Sequence, residues 1–232
     1  MRLGGILFDL DGTLFAREAA FWSWLLEEAA ERSLDWAQIA ELDARGHGPK
    51  APLLDQLALA LDWPERALEA RLQRLRLGIL RHARPDPRLH ALLARLRRSY
   101  RLGVVTNGST QSQRGKLREL GIEQYFDPIV VSEEVAHRKP EFAIFRLALR
   151  SWALPHGEVL FVGDDGLKDI GGARAAGLQA LQVLREPVET LEPEPVRDLL
   201  AARQAEDGTA SIESLWQIES WLGDHAGEHS VI

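Results

Sequence analysis

Asp9 and Asp11 stand two residues apart in the stretch Leu3–Gly12, LGGILFDLDG, with Thr13 next. Two carboxylates this close repel each other unless a cation or a shared proton compensates them. A hard divalent ion such as Mg²⁺ is the simplest compensation, because it takes oxygen ligands and retains several waters. Three further polar clusters follow along the chain: Thr106-Asn107-Gly108, Arg138-Lys139-Pro140, and Gly163-Asp164-Asp165 with Asp169 beyond it.

The elements that must position these residues are legible around them. Ile6, Leu7 and Phe8 form an apolar run too short for a typical helix, with two glycines before it and an Asp-Gly turn signal after it. That pattern predicts a buried strand that delivers Asp9 to its C-terminal edge. Leu102–Val105 runs into Thr106, Ile129–Val131 is a short strand, Val159–Val162 runs into Gly163, and Leu178–Leu184 is expected as the last strand. Helical patterns alternate with them at Leu89–Arg97, Gln111–Leu120, Glu141–Trp152 and Ile170–Ala176. Gly121 and Gly177 serve as stops, and Pro140 lies near the first turn of the third helix. The alternation indicates an α/β fold, a Rossmann-like doubly wound parallel sheet with helices on both faces. Ligands bind such sheets beyond the C-terminal strand ends, where all the candidate chemical residues fall.

Strand-like sequence is absent between Thr13 and about Pro85. Phe21, Trp24, Leu25 and Ala29 form an apolar stripe, and helical segments are expected near Trp36–Ala44, Pro52–Leu61 and Pro64–His82. Residues 15–84 therefore read as an inserted all-helical domain, and residues 1–14 and 85–232 as the core, re-entered at the breaker cluster Arg84–Arg88. Such an insert can sit over a site as a lid. Trp22, Trp24, Trp36 and Trp63 are expected to pack it. Arg185–Pro195 reads as an acidic, proline-rich loop. Ile212, Leu215, Ile218 and Leu222 have helical spacing, with Trp216 and Trp221 expected in the core and Gly227–Ile232 frayed.

The whole chain bounds the function classes. It has 232 residues, 45% of them hydrophobic, and a net charge of −7. The acidic balance argues against a nucleic-acid groove and against a membrane-surface patch, yet a local metal can still bring in an anionic substrate. There is no cysteine, so thiol nucleophiles, disulfides and thiolate metal sites are excluded. No apolar run reaches membrane-spanning length, and the N-terminus carries no signal-peptide pattern. A soluble, cytoplasmic protein is the expectation.

Taken together, Asp9-Leu10-Asp11-Gly12-Thr13, Thr106-Asn107, Lys139-Pro140 and Gly163-Asp164-Asp165 resemble the motif set of the haloacid dehalogenase superfamily. The chain is most similar to the phosphatase branch with a helical cap between the first two motifs, and the resemblance covers residues 3 to about 184. It implies a phosphatase that hydrolyses a small phosphorylated metabolite with Mg²⁺. In that pattern Asp9 is the nucleophile that forms an aspartyl-phosphate, and Asp11 is the general acid and base. The acid role leads to the expectation of a raised pKa at Asp11. Thr106 and Asn107 bind the phosphoryl group, and Lys139 faces both Asp9 and the phosphate. Asp164 is the side-chain metal ligand beside Asp9 and the Asp11 backbone carbonyl. Asp165 and Asp169 stand behind the metal, Asp169 as the second acid of the Gly-Asp-x4-Asp pattern. Lys168 departs from that pattern, where asparagine is expected.

Asp11 favours phosphoryl chemistry, because the dehalogenase branch generally lacks an acid two residues after its nucleophile. Arg17, Arg45, His47 and Lys50 are the candidates for substrate selection, the last three in the loop ARGHGPK. Competing readings are a sugar phosphomutase and a non-catalytic phospho-metabolite binder. The oligomeric state is expected to be monomer or homodimer.

Overall fold

Short apolar runs and amphipathic helices alternate to build one six-stranded parallel sheet in the computed structural model, which describes residues 3–30, 32–44, 50–184 and 208–227. The strands are β1 (Gly5–Phe8), β2 (Arg101–Thr106), β3 (Ile129–Val131), β4 (Val159–Gly163), β5 (Gln179–Val183) and β6 (Ser211–Ile212). Their spatial order is β3-β2-β1-β4-β5-β6, and every pair is parallel. The order reverses direction at β1, the topological switch point of a doubly wound sheet. All residues of β1 and β4 are buried, as expected where helices cover both faces.

The helices of this unit carry one apolar stripe each. In α5 (Pro87–Leu96) the buried residues are Leu89, Leu92, Leu93 and Leu96. Asp86 caps it by accepting from the Arg88 N–H at 2.8 Å, with Pro87 in the first turn. The helix α6 (Thr110–Glu119) follows β2, and the short helix α7 (Ser132–Val135) follows β3. The helix α8 (Phe142–Leu149) buries Ile144, Phe145, Ala148 and Leu149 into a core with Leu7, Val105, Trp152 and Phe161.

The described residues divide into two compact units. Residues 3–16, 84–184 and 208–227 form the sheet unit, and residues 17–83 the other. The second is all-helical among its described residues: α1 (Arg17–Ala29), α2 (Trp36–Ala44), α3 (Ala51–Ala60) and α4 (Leu68–Leu80). Phe21, Trp22, Trp24, Leu53, Leu54 and Trp63 are buried in it, and Trp36 is half-buried. Among the described residues no helix is long and apolar enough to cross a membrane.

Several boundaries differ from those expected. The segment after β4 opens as a π-helical turn, Gly166–Gly171, before α9 (Gly172–Ala175), because the Ile170 N–H reaches back to the Asp165 carbonyl. α8 starts just after Pro140 as expected, but spans Phe142–Leu149 with Glu141 as its N-cap, shorter than the expected Glu141–Trp152. Ile212 belongs to β6 and not to a helix; α10 (Ile218–Gly227) holds only Ile218 and Leu222 of the expected stripe. A two-residue strand is too short to show a period of its own. Trp216 is exposed beneath the Arg88 guanidinium, 4.7 Å from its ring centroid, and not in the core. The expected loop Arg185–Pro195 and the last residues, 228–232, lie outside the described residues.

Candidate active site

Parallel register brings three strand ends to one edge. Phe8 is level with Val104 and with Val162, and the next residue, Asp9, donates its N–H to the Val162 carbonyl at 2.9 Å. Asp9 and Lys139 are both buried. The Lys139 Nζ donates to Asp9 Oδ1 at 2.5 Å and lies 2.7 Å from Asp169 Oδ1, so one ammonium bridges two carboxylates. Burial opposes the lysine's charge, but Asp169 and Asp9 outweigh it and hold its pKa above the ordinary range. Burial pushes the Asp9 carboxyl up to about 7, opposed by Lys139 and reinforced by Asp169 and Asp11.

Asp164, at the end of β4, completes an acidic cluster. Asp9, Asp164 and Asp169 each offer an oxygen, and these lie within 4.8 Å of one another. Burial, then the charges of Asp169 and Asp9, push the Asp164 carboxyl well above the usual range, with Lys139 acting against them. Three acids facing one ammonium leave a negative surplus in a confined space. An all-oxygen donor set with such a surplus fits a hard divalent cation. Two glycines make the geometry accessible. Gly12 has φ +83°, and a Cβ there would stand 2.5 Å from Asp164 Oδ2. A Cβ on Gly163 would stand 2.4 Å from Asp169 Oδ2. That same oxygen accepts from the Asp165 N–H at 3.1 Å, so both oxygens of Asp169 are engaged, one by Lys139 and one by the backbone.

The other acid of the first motif meets different partners. The Lys116 Nζ lies 2.7 Å from both Asp11 oxygens, and Gln113 Nε2 donates to Asp11 Oδ2 at 3.1 Å and to Thr106 Oγ1 at 2.6 Å. Thr106, Gln113 and Lys116 are all buried. The Asn107 side chain is clamped to the Lys139 backbone: Oδ1 accepts from the Lys139 N–H at 2.8 Å, and Nδ2 donates to its carbonyl at 3.0 Å. Asn107 therefore links the end of β2 to the lysine. Asp165 caps the π-helical turn by accepting from the Leu167 and Lys168 N–H groups, and its Oδ2 pairs with Lys168 Nζ at 2.5 Å. Burial raises its pKa, yet the bonds from Lys168 and the backbone prevail and hold it below the usual range. Lys168 thus has a local partner in the position where asparagine was expected. Arg138 is exposed beside this site.

The order and spacing of these groups match a known family. The family model described as haloacid dehalogenase-like hydrolase matches residues 6–183, which include Asp9 and Asp11, Thr106, Lys139, Asp164 and Asp169. The chain belongs to this family. Among the haloacid dehalogenase-like hydrolases, the glyceraldehyde 3-phosphate phosphatase of Methanothermobacter thermautotrophicus is 41% identical over 107 residues, 46% of this chain and 47% of that one. The chain spans about half the length of the first curated relatives it matches. The phosphoserine phosphatase of Thermus thermophilus is 34% identical over 195 residues, 79% of this chain and 76% of that one. The HAD-hydrolase YfnB of Bacillus subtilis, solved bound to magnesium, shares the fold with a TM-score of 0.71 at 22% identity, covering 96% of this chain and 100% of that one.

Haloacid dehalogenase-like motifs account for the residues that the sequence singles out at the strand ends, but not for Gln113 and Lys116. A signal for them was present. Gln113, Lys116, Leu117 and Leu120 follow the i, i+3, i+4, i+7 spacing of a core-facing stripe, and its first two places are polar. Of the residues expected to select substrate, Arg45 and His47 lie outside the described residues. Arg17 and Lys50 converge on one buried acid within the helical unit. Arg17 forks onto Asp43, with Nη2 2.6 Å from Oδ1, and Lys50 Nζ is 4.0 Å from the same oxygen.

Proposed function

We propose that this chain is a Mg²⁺-dependent phosphatase that hydrolyses a small-molecule phosphomonoester through an aspartyl-phosphate on Asp9. The observation that carries the reading is a buried carboxylate with its own buried ammonium, Asp9 with Lys139, and a second acid, Asp11, two residues on. An Asp9 oxygen attacks phosphorus, and the bond to the leaving oxygen breaks with its electron pair on that oxygen. Asp11 gives that oxygen a proton. Asp11 then takes a proton from water, whose oxygen attacks phosphorus and releases the Asp9 carboxylate. Lys139 offsets the repulsion between an anionic nucleophile and an anionic substrate. The Thr106 hydroxyl and backbone N–H groups of the β2 end would hold the transferring oxygens.

Asp9 and Asp164, with the Asp11 backbone carbonyl, would hold Mg²⁺, and Asp169 would stand behind it as the buttress of Lys139. The ion supplies charge stabilisation at the phosphoryl oxygens. The helical insert serves as the substrate-selecting cap, and a cytoplasmic monomer or homodimer completes the reading.

Phosphate release from a panel headed by glyceraldehyde 3-phosphate and phosphoserine tests it, run with Mg²⁺, with EDTA and with Asp9→Asn. We expect release that needs Mg²⁺ and falls by about 10⁴-fold or more in the variant. Full metal-dependent activity in Asp9→Asn would sink the nucleophile assignment. An isomeric sugar phosphate in place of free phosphate would convert the reading to a mutase.

A further inference from the structure

The phosphatase reading uses one buried lysine, but the same strand-end edge holds two. Lys116 is 6% exposed and Gln113 is 1% exposed, on one face of α6. The Lys116 ammonium sits 2.7 Å from each Asp11 oxygen and donates to Gln113 Oε1 at 2.9 Å. It also lies 5.6 Å from the centroid of Phe15, whose backbone pairs with that of Asp11. The Gln113 amide nitrogen divides its donors between Asp11 and Thr106. A lysine withdrawn from water is costly to keep unless its charge is met. Here it is met by the one side chain that must transfer protons in both halves of the reaction.

We propose that Lys116 and Gln113 are positioning residues for Asp11. They fix its carboxylate where the leaving oxygen, and afterwards the attacking water, must meet it. Gln113 sets that position relative to Thr106, the residue expected at the phosphoryl group, so the acid and the phosphoryl cradle are held as one unit. Asp11 leads into a tight turn in which Thr13, Leu14 and Phe15 all donate to the Leu10 carbonyl. That turn sets the backbone, and α6 sets where the carboxylate points.

This inference rests on the phosphatase reading, and its test separates the two. The full chain would be compared as wild type, Lys116→Met and Lys116→Arg, with Mg²⁺, on p-nitrophenyl phosphate and on an alkyl phosphate. Nitrophenolate leaves without a proton, so a misplaced Asp11 spares the first step and slows hydrolysis of the phospho-enzyme. In Lys116→Met the ratio of the nitrophenolate burst rate to the steady-state rate should rise about 100-fold. Phosphorylated Asp9 should accumulate in acid-quenched mass spectra. On the alkyl phosphate kcat should fall about 100-fold with KM near wild type. Lys116→Arg, which keeps the cation, should recover at least part of the loss. If Lys116→Met does not fold, Gln113→Met carries the same test, with a burst expected at smaller amplitude of change.

Wild-type kinetics in the variants would overturn the assignment, and so would an equal loss on both substrates with no phospho-enzyme. A wild-type protein that turns over no phosphoester overturns the phosphatase reading and this inference with it. Active wild type beside an unaltered variant overturns this inference alone.

Discussion

The strand-end edge of the sheet unit and the helical unit of residues 17–83 treat charge in opposite ways. The edge buries Asp9, Lys139, Asp169 and Lys116, together with Thr106 and Gln113. The helical unit buries aromatic and aliphatic side chains, and among its described residues Asp43 is the one buried charge. Its other ion pairs, such as Arg74 with Glu28 and Glu65, lie at partly exposed positions. Exposed pairs contribute little, and buried charges are costly to keep. Buried ionisable groups with displaced pKa values are the pattern expected of a region used for chemistry, and they make the strand-end edge the candidate. The helical unit follows the ordinary economy of a packed bundle.

The sharpest way to break this contrast is Lys139→Met. It leaves Asp9 and Asp169 facing each other with no ammonium between them. Deleting one partner of a buried pair destabilises by about 3–5 kcal/mol. The kcat for phosphate release should fall about 10³-fold or more. Denaturant unfolding and steady-state kinetics check the two effects separately. A variant with near-wild-type kcat would show the edge to be structural.

Gly163→Ala comes next. Its Cβ would stand 2.4 Å from Asp169 Oδ2, closer than real contacts allow, so Asp169 must move. A displacement on this scale should lower kcat up to about 10²-fold, with an overpacking penalty of about 1–3 kcal/mol. Turnover by the purified variant, normalised to folded protein, measures the first.

pH offers a third test, on metal-free protein. The Asp9 carboxyl is pushed up to about 7, and Asp164 also lies above the ordinary value of 3.8. Between those limits the folded state binds more protons than the unfolded state. The stability Asp9 contributes is fully present below about 3.8 and is lost as pH rises through about 7, and Asp164, also raised, acts in the same direction. The melting temperature in EDTA should therefore fall from pH 5 to pH 8, and stabilisation by Mg²⁺ should grow over the same range. A Mg²⁺ shift independent of pH would argue against these carboxylates as the ligands.

The smallest effect belongs to the helical unit. A Cβ on Gly78 of α4 would stand 2.3 Å from Trp24 Nε1 of α1. Gly78→Ala should destabilise by about 1–3 kcal/mol through overpacking, offset by about 1 kcal/mol of helix propensity. Thermal unfolding followed by tryptophan fluorescence reads the net loss, and the Mg²⁺ dependence of activity should stay as in wild type.

Asp9, Thr106 and Asp164 could be read from the chain, because each terminates an apolar run whose strand character is local. The helical nature of the insert was legible for the same reason: Leu53, Leu57 and Leu61 show their spacing without reference to anything else. Elements of two residues, such as β6, carry no period. The π-helical turn was missed because its extra residue depends on how Asp165 caps it. The charge of Lys168 was visible, but its pairing with Asp165 was not.

The sequence by itself determined which residue types reach the strand ends, since alternation of apolar runs and helix stops dictates a parallel sheet and its functional edge. Only the tertiary structure decided which of those residues meet. Lys116 finds Asp11 across 105 positions of chain, and Asn107 finds the Lys139 backbone across 32. Such pairings depend on strand register and on the rotation of α6 and of the segment before α8 about their own axes. Those are settled by tertiary packing, which for α8 is the core it shares with Leu7 of β1, Val105 of β2 and Phe161 of β4, and no local spacing encodes them.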